Sequence, residues 1–293
     1  MKFLRFENSN GDILSGIIKE KKIFAFEDLD YFKEYKDILD LIKNFNVDDI
    51  NFLNNLESEK YYNLENVKIL PPFSSLAHDA ICVGLNYHEH IEESMAYKGG
   101  FEVAPNATYF SKRSAIISGP GDDIIWDSEL DDSLDYETEL AIVIGKKGKD
   151  IKEEDALDYV FGFTILNDIS SRILQMSHGQ WFKGKSLDGY TSLGPWIVEK
   201  TEFTFPLELD ISTKVNGEIR QNSNTKLMIR GIERLIYELS QGMTLFPGDI
   251  IATGTPAGVG MGFNPPKFLK DGDLVECEVE GIGVLKNRVL AKR

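Results

Sequence analysis

The sequence predicts an α+β fold in which strands dominate, with a small N-terminal α/β module before a larger strand-rich part. Short branched and aromatic runs alternate with turn residues along most of the chain, and only one long amphipathic helical pattern follows residue 72. The pair Pro71 and Pro72 removes backbone donors and forces extended geometry. We therefore expect domains over 1–72 and 73–293, the second a folded-over sheet with helices packed outside.

The N-terminal module begins with three short strand patterns, at residues 2–7, 13–19 and 22–26. An amphipathic helical pattern follows over 31–45, and a second one over 48–56. These patterns predict a small β-meander with two helices. They give no indication of what the module does.

The second part contains buried-looking strand patterns over 80–83, 140–144 and 161–166. Asn216 and Gly217 predict a hairpin turn, and Gly281 to Gly283 predict a turn between the closing strands. The clearest helical pattern covers 225–241, with Gly242 at its stop.

Composition excludes several classes of protein. The 293 residues include 32 Lys and Arg against 48 Asp and Glu, which gives a net charge of −16, and 42% are hydrophobic. This balance excludes disorder and collagen-like repeats. Duplex binding depends on cations that displace counterions from phosphates, so we expect no nucleic-acid partner, and no anionic membrane for the same reason. An anionic substrate would need cations supplied within the site.

The cysteines and the N-terminus indicate a reducing compartment. Cys82 and Cys277 are far apart and form no Cys-x-x-Cys motif, so they read as structural thiols. Polar residues interrupt the first ten positions before a signal-peptide core could form, and no apolar run reaches the roughly 20 residues of a membrane span. We expect a cytoplasmic protein.

Three carboxylates stand at the ends of two strand patterns. Glu137 and Glu139 enter the strand over 140–144 from one face, because side chains alternate on a strand. Asp168 ends the next strand. With no Cys or clustered His, such a set suits Mg²⁺, Mn²⁺ or Ca²⁺ better than Zn²⁺ or copper. A solvated strand edge explains the first two equally well, and sequence does not show that the strands meet.

A histidine and a glutamate are neighbours on the helix predicted after residue 84. His90 and Glu93 stand three apart, so a carboxylate could orient the imidazole of a general base. The alternative interpretation is that both residues lie on an ordinary exposed turn of the helix. His78 and His178 have no such partner nearby and read as structural.

Two glycine-containing segments resemble anion sites. Residues 179–186 satisfy the letters G-x-x-x-x-G-K-S, but no buried strand precedes them and Trp181 and Phe182 are too bulky for a phosphate loop. We therefore reject nucleotide binding and retain Lys185 as a cation beside aromatic residues. The turn over 253–260 could hold a carboxylate or keto oxygen, or be a plain tight turn.

Five motifs in order resemble the fumarylacetoacetate hydrolase family, in its acylpyruvate hydrolase and 2-hydroxyhepta-2,4-diene-1,7-dioate isomerase branch. They are Gly84-Leu85-Asn86-Tyr87 with His90 and Glu93, Asp135-Tyr136-Glu137-x-Glu139-Leu140, Asn167-Asp168-Ile169-Ser170-x-Arg172-x-x-Gln175, Gly184-Lys185-Ser186-x-Asp188, and Gln241-Gly242-Met243-Thr244-x-x-x-Pro247-Gly248-Asp249 followed by Thr253-Gly254-Thr255-Pro256. The resemblance runs from about Pro72 to the C-terminus. It implies a mixed β-sandwich roll, a homodimer, and Mg²⁺ or Mn²⁺ in the site.

The resemblance also implies roles for individual residues. The metal ligands would be Glu137, Glu139 and Asp168, and the general-base dyad would be His90 with Glu93. Lys185 would polarise the substrate oxygen. The residues that would contact the substrate are Arg172, Gln175 and Thr255. The chain departs from many relatives at Lys112-Arg113 and at Thr191-Ser192, which leaves the substrate open.

A small anionic 2-oxo acid is the substrate that this chemistry suits, because its carboxylate and keto oxygens can chelate the ion. We expect hydrolysis of a carbon–carbon bond in an acylpyruvate-like 2,4-dioxo acid. Decarboxylation or tautomerisation of oxaloacetate, and isomerisation of a 2-hydroxy-diene dioate, use the same residues. A non-catalytic module stabilised by Ca²⁺ is an alternative of another class. We also expect a lid over about 94–111, with Gly99 and Gly100 as its hinge.

Overall fold

The computed structural model describes residues 1–96 and 106–292 and shows a mainly β, α+β fold. The strands, in chain order, are β1 Lys2–Glu7, β2 Ile13–Lys19, β3 Lys22–Ala25, β4 Tyr62–Asn63, β5 Lys68–Leu70, β6 Ala80–Gly84, β7 Thr108–Lys112, β8 Ile117–Ser118, β9 Asp123–Trp126, β10 Leu134–Asp135, β11 Thr138–Ile144, β12 Val160–Asp168, β13 Ser170–Ser171, β14 Thr191–Glu199, β15 Asp210–Val215, β16 Glu218–Asn224, β17 Ile250–Ala252, β18 Leu274–Val279 and β19 Gly283–Ala291. The α-helices are α1 Ile38–Asn44, α2 Val47–Asn54, α3 His88–Ala96, α4 Arg172–Ser177, α5 Phe182–Lys185 and α6 Ile232–Ser240. The fold class predicted from the sequence is confirmed.

Two large sheets organise the chain. The first runs β4-β3-β2-β1-β14-β12-β11-β17-β6-β7, with β5 on β1 and β8 on β14, and the second runs β16-β15-β18-β19-β9. Their facing sides share a core of branched and aromatic side chains, among them Ile142, Phe163, Ile211 and Leu285. β11 and β12, buried along their whole length, form the centre of the first sheet. The core strands therefore carry the carboxylates into the interior.

The N-terminal strands continue the first sheet. β1 pairs antiparallel with β14, with Phe3 opposite Ile197, and a second core packs Phe3 and Phe161 against the helices of the N-terminal module. The predicted strands at 2–7, 13–19 and 22–26 form with nearly those bounds. The division into domains at residue 72 stays a prediction.

Two predicted helices are shorter than their patterns. The helix expected over 31–45 begins only at Ile38, because the Asp37 side chain accepts from the Asp40 N–H and caps it there. The helix expected over 225–241 begins at Ile232. The segment before it gives its N–H groups elsewhere, since Ile229 N–H donates to Asn86 O and Arg230 N–H to the Asn86 side-chain oxygen. Tertiary hydrogen bonds override the local periodicity at that point.

The phosphate-loop letters do not form a phosphate loop. A short helix, α4, precedes them instead of a strand, and Phe182 to Lys185 form α5. Residues 97–105, with Gly99 and Gly100, lie outside the described residues, and they make up half of the expected lid over 94–111. Among the described residues, no helix has both the length and the apolar character that crossing a bilayer requires.

Candidate active site

Three carboxylates converge where β11 and β12 pair. Glu139 lies opposite Leu166, and the Asp168 N–H donates to Glu137 O at 2.8 Å, which brings the end of β12 beside the start of β11. One oxygen from each of Glu137, Glu139 and Asp168 lies within 4.8 Å of the others, and all three side chains are buried. The structure therefore brings the three acids together. Their role as metal ligands stays a prediction.

Buried cations surround two of these carboxylates. Lys185 Nζ lies 2.6 Å from Glu137 Oε2 and 2.7 Å from Asp168 Oδ2. Arg172 approaches Glu137 Oε1 to 2.6 Å, and Lys112 Nζ lies 2.8 Å from Asp168 Oδ1. These cations offset most of the cost of burying the acids. Sequence reasoning gave Lys112 no role, because a lysine at a strand end has no local signal that distinguishes it.

The carboxylates differ in electrostatic environment. Burial raises the pKa of Glu137, but Lys185 and Arg172 outweigh it and hold that pKa at about 2. The pKa of Glu139 is raised well above its usual range, first by burial and then by repulsion from Asp168 and Glu137. Its side chain accepts a hydrogen bond from the Gly254 N–H, at 2.8 Å. Glu139 is thus the acid of the cluster that most needs a positive charge.

The cluster fits a divalent cation. Asp168 Oδ1 is buried with Lys112 Nζ at 2.8 Å, whereas Glu139 makes no ion pair within the described residues. Two oxygens on one ion stand at most twice the bond length apart, about 4.2 Å for Mg²⁺ and about 4.6–5.2 Å for Ca²⁺. The three oxygens lie within 4.8 Å of one another, close to that range. Three buried hard oxygen ligands, one of them without an ion pair, could therefore hold such an ion.

The dyad stands on α3 beside the cluster. His90 Nδ1 lies 3.2 Å from Glu93 Oε2, with the imidazole buried. Glu93 in turn accepts from the Gly258 N–H, at 3.0 and 3.2 Å to its two oxygens. This arrangement orients the imidazole and leaves Nε2 as the nitrogen able to exchange a proton. The structure places the pair as expected, and the role stays a prediction.

A narrow cavity of about 300 Å³, including its open mouth, joins these groups. The predicted site residues that line it are His90, Glu137, Glu139, Arg172, Gln175, Lys185 and Thr255. Glu93 and Asp168 lie behind this lining. Phe110, Trp181 and Met261 add apolar walls.

The three residues expected to contact substrate differ in which of their hydrogen-bonding atoms already have partners in the protein. Arg172 donates from Nη1 to Gln175 Oε1 at 3.0 Å, and its Nη2 lies 2.9 Å from Asp135 Oδ2. Thr255 already donates to Thr138 O at 3.0 Å and accepts from Gln221 at 2.7 Å. Among the described residues, Gln175 Nε2 is the donor of this set that makes no hydrogen bond, and Arg172 supplies the positive charge of the cavity wall.

Comparison with known proteins identifies the family. The family model described as "Fumarylacetoacetate (FAA) hydrolase C-terminal" matches residues 79–290. Oxaloacetate tautomerase YisK of Bacillus subtilis is 45% identical over 228 residues, which cover 78% of this chain and 75% of that protein. This chain belongs to the fumarylacetoacetate hydrolase family and is an enzyme of that family. The resemblance read from the five motifs is confirmed.

Solved structures agree over the whole chain. Fumarylacetoacetate hydrolase from Exiguobacterium antarcticum is 40% identical, with full coverage of both chains and a TM-score of 0.85. Maleylpyruvate hydrolase from Sphingobium, solved with manganese and pyruvate, is 27% identical with full coverage of both chains and a TM-score of 0.80. The family acts on small organic acids, and the non-catalytic module considered above is therefore set aside.

Proposed function

We propose that this chain is a divalent-metal-dependent tautomerase that interconverts the keto and enol forms of oxaloacetate. The observation that carries the proposal is one small cavity lined by Glu137, Glu139, His90 and Arg172, with Asp168 clustered beside the two glutamates. The 45% identical relative that is named an oxaloacetate tautomerase supports this choice of substrate over the 2,4-dioxo acid expected first. Hydrolysis of that acid stays a prediction.

The ion would be held by Glu137, Glu139 and Asp168, with Mg²⁺ or Mn²⁺ as the proposed species. When bound, it would draw negative charge onto the keto oxygen of a chelating 2-oxo acid. Lys185 Nζ, already 2.6–2.7 Å from two of the carboxylates, would place a further positive charge beside that oxygen.

The proton transfer falls to the dyad. His90 Nε2 would take a proton from C3 while the C2–C3 double bond forms and the carbonyl electron pair moves to oxygen. Returning the proton to that oxygen completes the enol, so composition and oxidation state are unchanged. Glu93, 3.2 Å from Nδ1, would stabilise the protonated ring between the two transfers.

Arg172 would select substrates by their length. Its guanidinium, a buried positive charge in the cavity wall, suits the carboxylate at the far end of a four-carbon dioate. Gln175 accepts from Nη1 and so fixes the direction of the guanidinium. Monocarboxylates such as pyruvate would lack this contact and bind more weakly.

The test follows the ultraviolet absorbance of enol oxaloacetate as it relaxes to the keto form. Chelator-treated protein should give the uncatalysed rate, and added Mg²⁺ or Mn²⁺ should restore acceleration. The exposed His88→Ala variant serves as the control for His90→Ala. An acceleration that survives exhaustive chelation, or that both histidine variants retain, would contradict the proposal.

Hydrolysis of an acylpyruvate is the second candidate. A dyad that can accept a proton from carbon can also accept one from water, and the structurally similar Sphingobium hydrolase was solved with manganese and pyruvate. Parallel assays with acetylpyruvate and a 2-hydroxy-diene dioate separate these outcomes. Pyruvate release from acetylpyruvate at a higher kcat/KM than oxaloacetate tautomerisation would favour hydrolysis. The homodimer and the cytoplasmic location remain predictions.

A further inference from the structure

A fourth buried acid, Asp135, contacts both halves of the site without lining the cavity. Asp135 is fully buried on β10, two residues before Glu137. Its Oδ1 accepts from the Gly260 N–H at 2.6 Å and the Tyr136 N–H at 2.9 Å. Its Oδ2 accepts from the Met261 N–H at 3.0 Å and from Arg172 Nε at 2.9 Å. Four donors saturate this carboxylate, so it has no capacity left for substrate.

Two of those donors belong to a turn that also holds the dyad. The turn, residues 258–262, donates from the Gly258 N–H to Glu93 and from the Gly260 and Met261 N–H groups to Asp135. It is packed tightly at both ends. A side chain at Gly262 would overlap the Glu93 carboxylate, and one at Gly260 would come to 2.6 Å from Asp135 Oδ1. The turn therefore fixes the distance between the two acids.

The other side of Asp135 sets the direction of Arg172. With Nε and Nη2 both 2.9 Å from Asp135 Oδ2 and Nη1 shared between Glu137 and Gln175, the guanidinium is held from two sides. Asp135 thus fixes the orientation of the Arg172 side chain in the cavity wall.

We propose that Asp135 is a positioning residue that couples the anion-binding Arg172 to the His90–Glu93 dyad through the turn at 258–262. It touches neither His90 nor substrate, and acts through Arg172 on one side and through the turn and Glu93 on the other. This inference rests on the proposed function for the meaning of both ends, but the coupling itself exists in the protein without substrate.

The experiment uses three variants of the full chain and two readouts. Asp135→Asn keeps the side-chain volume but replaces one carboxylate oxygen with an NH₂ group. The hydrogens of that group would then face a backbone N–H that the oxygen had accepted from. Gly260→Ala brings a new Cβ to 2.6 Å from both Asp135 Oδ1 and the Lys267 carbonyl oxygen, so it disturbs the carboxylate without removing its charge, at a glycine whose φ lies outside the left-handed region. The matched control is Asp49→Asn. Asp49 is also a fully buried acid, and it caps α2, far from Asp135 in the sequence.

The first readout is the ring NMR signal of His90 in substrate-free protein, which is tractable because the chain has four histidines. The second is the affinity for L-malate, a four-carbon dicarboxylate that is not turned over, in Mn²⁺-loaded protein. We expect Asp135→Asn to shift the His90 signal and to weaken L-malate binding about 10-fold, with Gly260→Ala giving the same pair of changes at smaller size. In turnover, KM should rise and kcat should fall together, by about 10- to 100-fold in kcat/KM.

The outcomes distinguish the coupling through Asp135 from the tautomerase assignment. If oxaloacetate is not a substrate but the His90 signal and the L-malate affinity both change, the tautomerase assignment fails and the coupling stands. If Asp135→Asn and Gly260→Ala lower only the melting temperature, as Asp49→Asn is expected to do, Asp135 is merely structural and the proposal is overturned. Should Asp135→Asn not fold, Gly260→Ala decides alone, with Gly231→Ala as its control, where the new side chain meets only Glu233 Oε2 at 3.6 Å.

Discussion

The carboxylate cluster and the dyad are built in opposite ways. The cluster joins acids from β11 and β12 in the centre of the large sheet, and its charges are compensated by lysines and an arginine from other elements. The dyad lies within one turn of α3, and Glu93 accepts a hydrogen bond from the Gly258 N–H outside that helix. One region depends on long-range packing of strands, and the other on local helix geometry.

This difference teaches that ion binding and proton transfer can be separated by mutation. A change in the cluster alters several coupled buried charges at once. A change in the dyad removes one interaction on a short helix and leaves the strands intact. The following predictions test that separation.

Loss of Glu139 should have the largest effect. Glu139→Ala removes the acid of the cluster that makes no ion pair with a described lysine or arginine, so we expect divalent-ion binding to be lost and ion-dependent turnover to fall by at least about 10³-fold. Titration calorimetry with Mn²⁺ and steady-state kinetics measure the two effects. The exposed Glu278→Ala variant is the control. Unchanged Mn²⁺ affinity in Glu139→Ala would show that the cluster is not the ion site.

Loss of His90 should have the next largest effect. His90→Ala removes the proposed base, and we expect kcat to fall by about 10²- to 10⁴-fold while Mn²⁺ affinity changes little. Glu93→Gln should fall between His90→Ala and wild type, because the imidazole remains but loses its charged partner. Mn²⁺ affinity that falls in parallel with kcat would show that the two regions are not separable.

The smallest effect concerns stability against pH in chelator-treated protein. The folded-state pKa of Glu139 is raised above its ordinary value of 4.5, so its contribution to stability is fully present below about pH 4.5 and is lost as pH rises through the raised pKa. Glu139→Gln removes this loss. We expect the melting temperature of wild type to fall relative to the variant as pH rises from about 5 to 8.

With added Mg²⁺, the melting temperature of wild type should instead rise relative to that of Glu139→Gln as pH rises. The reason is that the ion favours ionised Glu139, which the variant lacks. Calorimetric scans with and without the ion measure this. Parallel pH profiles for both proteins under chelation would contradict the electrostatic contrast between Glu139 and Glu137.

Much of the site could be predicted because its signals are local. Strand alternation put Glu137 and Glu139 on one face, and helix spacing put His90 beside Glu93. The meeting of Asp168 with the other two depended on the pairing of β11 with β12, which the family resemblance supplied and spacing alone did not. Asp135 continues the same alternation as the two glutamates, so a charged residue at every second position was a signal that could have included it.

The fold was less predictable where tertiary contacts replaced local ones. The pattern over 225–241 is apolar at helical spacing, yet Asn86 takes two backbone N–H groups from its first part. Lys112 ends an unremarkable strand, and only the folded chain brings it to Asp168. Such residues carry no periodic signal because their partners lie far away in sequence.

The pairing of Phe3 with Ile197 has a practical consequence for dissecting the chain. A fragment that begins after residue 72 lacks β1. That stretch of β14 would then be an exposed sheet edge, whose amides and carbonyls could pair with a strand of another chain. The aromatic surface of Phe161, now packed on Phe3 and Phe45, would be bared alongside it. Self-association of such a fragment would then report a missing neighbour rather than the native assembly.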